Sequence, residues 1–275
     1  MIKIICLTQQ GKIMKKLLTI ILLILVTILN AEEYRIVSLS PAMTEIICHL
    51  GLEKNLVGRS DVCNYPDSVK NLPIAGSFAK PNVEKILMLK PTHILTNDLI
   101  NPNVISVFES KNIKTFMIQC NNLSDYQKTV EKVGQLFDIK EVAQKEMENI
   151  ANFKKIPLKS LNIKVLWVVF DNPIMVAGAN SLPDEVLRFA GVENLAKNVK
   201  QSYFKCSIDW ILKENPDVII YTGSPNGWQK EIWQNIPAVK NNRLIHELNH
   251  DIILRPGPRI FEGILELRKK LESLQ

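Results

Sequence analysis

The sequence predicts an α/β protein of two similar lobes with parallel-type sheets, joined by one long rigid helix, with a ligand cleft between the lobes. Three observations predict it. Residues 83–95 align without a gap on residues 208–220, an offset of 125, and each copy reads as helix, proline turn and strand. Lys111-Asn112-Ile113-Lys114 before the apolar run that ends at Ile118 is echoed, in the same order, by Lys240-Asn241-Asn242-Arg243 before Leu244 and Ile245. Between the copies lies residues 138–159, where Ile139, Val142, Ala143, Met147, Ile150 and Phe153 recur at helical spacing among polar residues. Asp138 is the expected N-cap of that helix, with Glu141 three residues on as its capping-box partner and Pro157 as its stop. The expected organisation is an export signal over 1–31, an N-terminal lobe over 32–138, a connecting helix over 139–159 and a C-terminal lobe over 160–275.

In chain order, residues 35–39 read as a short strand, and Ser40-Pro41-Ala42-Met43-Thr44-Glu45 turns directly into a helix ending at Leu50-Gly51. A strand whose C-terminal end opens onto a helix N-terminus is where parallel α/β sheets hold ligands, so residues 38–42 are a candidate contact loop. Strand 56–58, the loop 60–66 and Gly76-Ser77-Phe78 follow. Next come the first duplicated helix and strand, a helix over 102–110, a strand over 113–118 and a helix over 125–137. Beyond the connecting helix the pattern gives a strand over 163–170, an apolar stretch over 174–177 and a helix over 183–190. A loop over 200–205 carries Tyr203 and Phe204. After the second duplicated unit come a helix around 228–236, a strand over 243–247, a loop over 250–258 and an amphipathic helix over 259–274.

With 275 residues, 46% of them hydrophobic and 23% charged, the chain is long enough for two modest cores. Its net charge of +6 invites a nucleic-acid reading until the charges are located. Lys3, Lys12, Lys15 and Lys16 fall in residues 1–31, which contain no acid, so the rest of the chain carries only +2. No stripe of Lys or Arg interleaved with aromatics occurs, and a nucleic-acid partner is not expected. Lys15-Lys16 before the apolar run 17–29 has the layout of an export signal, with Ala31 ahead of the cut. Met14 leaves residues 1–13 as an over-called start or an extended n-region. The competing reading is an uncleaved anchor, helped by bulky Leu29, although the run is short against the ~20 residues of a spanning helix. Cys48, Cys63, Cys120 and Cys206 form no C-x-x-C pair, and no metal site is expected.

Doubly wound sheets are often enzymes, but the sequence holds no G-x-G-x-x-G, no G-x-x-x-x-G-K-[ST] and no G-x-S-x-G. His49, His93, His246 and His250 lie in no triad or metal pattern. His250, in the loop read at the cleft, is the one placed to touch a ligand; local hydrogen bonding is the plainer expectation.

Residues 35–45 (RIVSLSPAMTE), residues 82–91 (NVEKILMLKP) and Arg255-Pro256-Gly257-Pro258-Arg259 together resemble the helical-backbone substrate-binding proteins of ABC importers, which carry cobalamin, iron–siderophore complexes or haem. The likeness covers nearly all of the chain after the signal and is strongest to the cobalamin-binding members. It implies a non-catalytic receptor with no required cofactor, handing a corrinoid to an ABC permease dimer. It also implies ligand-facing roles for Phe78, Met175, Tyr203 and Arg255, with Tyr65 nearby and Asn97 where the cobalamin binders carry Trp. Permease docking by one acid per lobe falls on Glu84 and Asp209, which the internal repeat already pairs. The alternatives are the same role for iron–siderophore or haem, and a two-lobed α/β chelatase-like enzyme.

Overall fold

The computed structural model describes residues 34–97, 99–117, 119, 121–156 and 158–274, so the export-like segment, Asp98, Ile118, Cys120 and Pro157 lie outside the described residues. In the first half of the chain β1 (Ile36–Ser38), α1 (Pro41–His49), β2 (Leu56–Arg59), the small hairpin β3 (Gly76–Ser77) and β4 (Lys80–Pro81), and α2 (Val83–Met88) follow in order. Then come β5 (His93–Thr96), α3 (Pro102–Glu109), β6 (Lys114–Met117) and α4 (Leu123–Leu136). The larger sheet here runs β2-β1-β5-β6 with every neighbouring pair parallel. Ile36, Val37, Ile94 and Leu95 are fully buried, as a parallel sheet covered on both faces requires.

The connecting helix, α5 (Lys140–Lys154), is shorter than the sequence pattern implies. Asp138 is not its N-cap: Asp138 takes a left-handed conformation, φ 53°, and Ile139 is the cap residue without a side-chain bond. A three-residue turn from α4 leaves no extended position for Asp138, so the turn geometry overrides the capping box. At the other end the chain leaves the helix after Lys154, ahead of Ile156, where a following proline disfavours helical backbone. α5 packs directly on α4, and a Cβ on Gly134 would lie 2.4 Å from the Cβ of Ala143, so only glycine permits the approach.

The second half holds β7 (Lys164–Asp171), β8 (Ile174–Ala177), α6 (Leu182–Phe189), β9 (Glu193–Asn194), β10 (Tyr203–Lys205), α7 (Ile208–Glu214), β11 (Val218–Tyr221), α8 (Glu231–Gln234), α9 (Pro237–Lys240), β12 (Leu244–Ile245), α10 (His250–Ile253) and α11 (Ile260–Glu272). Its sheet runs β10-β8-β7-β11-β12, with β9 pairing β7. β7 pairs in parallel with β9 and β11, and β11 with β12, whereas β8 pairs antiparallel with both β7 and β10, so β8 alone is reversed and this sheet is mixed. Residues 203–205, expected in a loop, form its edge strand, with Tyr203 opposite Ala177 and Lys205 opposite Met175. His250, also expected in a loop, opens the short helix α10 behind an Asn249 cap.

The repeat holds to the residue in three dimensions. α2 and α7 begin 125 positions apart, and so do β5 and β11. Asn82 and Ser207 cap the two helices alike, accepting the N–H of Lys85 and of Trp210. Trp167 and Trp233 are buried in the cores on opposite faces of the second sheet.

Candidate functional site

A cavity of about 520 Å³ opens where the C-terminal ends of the first sheet's strands meet the loop after α10. Ser40, Pro41 and Ala42 border it at the start of α1. The Thr44 hydroxyl holds that turn by donating to Ser38 Oγ at 2.8 Å or Ser40 O at 3.0 Å. Ser40 makes no side-chain cap, so the rim includes a helix N-terminus suited to a carbonyl or anionic oxygen. Phe78 stands at the tip of the β3–β4 hairpin, where Ala79 turns at φ 61° and the Phe78 N–H donates to Asp61 Oδ1 at 3.1 Å. Gly76, φ 144°, keeps this hairpin against its own return strand; a Cβ there would meet backbone atoms at 2.7 Å. Asn97, Leu99, Gln119 and Asn121 complete the lobe-one wall, and Leu254, Arg255 and Pro256 close it from the other side.

Beneath the cavity lies a charged network joining residues some 210 positions apart. Glu45, in the middle of α1 and only 3% exposed, accepts Arg259 at 2.8 Å and 2.7 Å through both carboxylate oxygens. It also accepts Arg255 Nη1 at 3.1 Å. Arg255 donates further to Asn64 Oδ1 at 2.8 Å and to Asp251 at 2.5 Å, and Asn64 in turn donates to Asp251 at 2.7 Å. The Arg259 guanidinium lies 3.8 Å over the Tyr65 ring. A fork of this kind satisfies a buried carboxylate that would otherwise be strongly unfavourable.

The structure therefore brings Phe78, Asn97 and Arg255 into one cavity, together with residues 40–42 of the candidate contact loop. Tyr65 does not line it and instead packs against Arg259 of the charged network. Met175 and Tyr203 share one face at the outer edge of the second sheet, on paired antiparallel strands, and do not line the cavity. Tyr203 is 45% exposed, which leaves its ring available. Glu84 and Asp209 each occupy the second position of a capped helix and are exposed, also away from the lining. Sequence reasoning missed Glu45, Asn64, Gln119 and Asn121. Glu45 and Arg259 do fall in two of the quoted motifs, which is the only signal that links them.

The sequence profile of the periplasmic binding protein family matches residues 36–247. The chain belongs to that family. It is 28% identical over 95% of its length to 98% of a vitamin B12-binding protein of Vibrio vulnificus (strain YJ016). Its identity to a high-affinity heme uptake system protein of Staphylococcus aureus (strain Newman) is 27%, over 78% of this chain and 79% of the other. A possible iron-binding (periplasmic solute-binding) protein of Staphylococcus epidermidis ATCC 12228 superposes with a TM-score of 0.76 at 26% identity, covering 87% of this chain and 99% of that one. This periplasmic binding protein is thus a small-molecule receptor of the ABC-importer kind and not an enzyme, which removes the chelatase alternative.

Proposed function

We propose that this periplasmic binding protein captures a corrinoid, cobalamin foremost, and delivers it to the permease dimer of an ABC importer. The observation that carries the reading is the chemistry of the cavity wall. Asn97, Gln119, Asn121 and Ser40 supply neutral hydrogen-bonding groups beside the apolar Phe78 and Leu99, and the charged Arg255 is already held by two carboxylates. A corrinoid is a flat ring fringed with amide arms, and it asks for an aromatic face and uncharged donors and acceptors. Such a ligand is larger than the cavity, and Met175 and Tyr203 are the residues we assign to its opposite wall. Relation to the vitamin B12-binding protein supports the same reading.

The second reading, favoured by the relation to the heme uptake protein, is the same receptor role for haem or an iron–siderophore complex. In both readings residues 32–138 and 160–275 are the lobes, 139–159 the connection, and residues 1–31 the export signal, cut after Ala31 to give a periplasmic chain. Glu84 and Asp209 are the docking acids, equivalent by the repeat and able to meet a two-fold partner symmetrically. Absorbance titration of the mature protein with cyanocobalamin, haem and ferric siderophores in turn tests the assignment. Saturable binding of cyanocobalamin is expected. Binding of haem or ferric siderophore alone would replace the corrinoid reading with the second one.

A further inference from the structure

Glu45 is one of five consecutive buried residues of α1, Met43 to Ile47, where a carboxylate is out of place unless something demands its charge. Its partners are the two guanidinium groups of the segment after α10, and a second carboxylate, Asp251, completes the set. Two cations and two anions leave the network without net charge, and Arg255 is its member on the cavity wall. We infer that Glu45 is a specificity-determining residue: by neutralising Arg255 and Arg259 it keeps the cavity from attracting carboxylate-bearing ligands and leaves it matched to an uncharged, amide-fringed ring. This deepens the corrinoid reading and rests on it. The physical basis is the reach of a charge in a partly dry cleft. An uncompensated guanidinium at the wall would attract a ligand carboxylate far more strongly than it would an amide, whereas a paired one presents only a hydrogen-bonding dipole. Glu45 does not itself line the cavity; it acts through Arg255.

The test uses two probes that differ in one group: cyanocobalamin, and the cyanocobalamin monocarboxylic acid in which one peripheral amide is hydrolysed. The quantity read is the ratio of their dissociation constants, which cancels any general loss of affinity from a loosened fold. Wild type should prefer the amide. Glu45→Gln leaves one unpaired positive charge, and the ratio should move toward the acid by about tenfold, the shift fading at high salt. Arg259→Gln leaves one unpaired negative charge and should move the ratio the other way, which keeps the test open should Glu45→Gln fail to fold. Glu141→Gln removes an exposed charge on α5 and should leave the ratio alone. A ratio unchanged in both cleft variants would reduce Glu45 to a structural strut and overturn the inference. Haem carries two carboxylates, so a wild type that binds neither corrinoid but takes up haem overturns the inference together with the corrinoid reading, whereas an unchanged ratio in a protein that binds cyanocobalamin overturns the inference alone.

Discussion

Lys90 and Asn215, 125 positions apart, adopt the same left-handed backbone conformation, φ 48° in each, and each precedes the proline that separates the duplicated helix from its strand. Asparagine tolerates this region and lysine does so at a cost of roughly 1–2 kcal/mol. Lys90→Gly should therefore raise stability by up to about 1 kcal/mol, and Asn215→Val should lower it by about 1–2 kcal/mol, in urea unfolding followed by circular dichroism. Equal effects of either sign at both positions would contradict the shared left-handed conformation.

His49, at the end of α1, meets Glu146 of α5 at 2.9 Å, and Glu146 also accepts from Tyr126 at 2.7 Å and from Asn149 at 3.1 Å. The hydrogen bond to Glu146 raises the His49 pKa against the opposing effect of burial. For Glu146, burial pushes upward but the three hydrogen bonds outweigh it and hold the carboxyl below its usual range. A raised histidine pKa adds stability that is complete below the unfolded value of about 6.5 and is lost as pH climbs through the folded value. The melting temperature of His49→Gln should fall furthest below wild type at acidic pH near 6 and converge with it in the alkaline range. A deficit that grows with pH would refute the pairing.

Phe78 tests the cleft. Its ring is 42% exposed on a hairpin tip, so Phe78→Ala should cost about 1–3 kcal/mol of cyanocobalamin binding by calorimetry with little change in melting temperature. Tyr203→Ala should cost a similar amount if the ligand spans to the second sheet. Normal binding by Tyr203→Ala with weakened binding by Phe78→Ala would confine the site to the described cavity.

Glu84 and Asp209 test delivery. Each exposed ion pair contributes only ~0.2–1 kcal/mol, so the double charge reversal is the informative variant. It should weaken association with the permease in detergent or nanodiscs and leave ligand affinity unchanged. Lost ligand affinity with normal association would invert the assignment.

The duplicated units were legible because an apolar helix, a proline and a buried strand each leave a local pattern, and their bounds follow the 125-residue offset. Tyr203 was not legible as a strand residue. It sits among Gln201, Ser202 and Lys205, polar neighbours that an exposed edge strand tolerates, and its pairing with β8 is a tertiary contact. Asp138 failed for a related reason, since the tight turn after α4 determined its backbone before any cap could form. Phe78, Asn97 and Arg255 emerged through family likeness. Glu45 did not, because its partners lie 210 and 214 positions away and only folding brings them together. His250, expected in a loop at the cleft, opens a short helix and does not line the cavity; a four-residue helix carries too little periodicity to be seen.

The contact of Gly134 with Ala143 makes the connection between the sheets a laminate of two helices in place of one rod. α5 alone spans about 22 Å over its 15 residues. A bonded pair of rods resists flexure far better than either separately, so thermal bending of the connection is confined to small angles. The spacing of the two sheets is then set by the packed pair of helices and not by either helix alone.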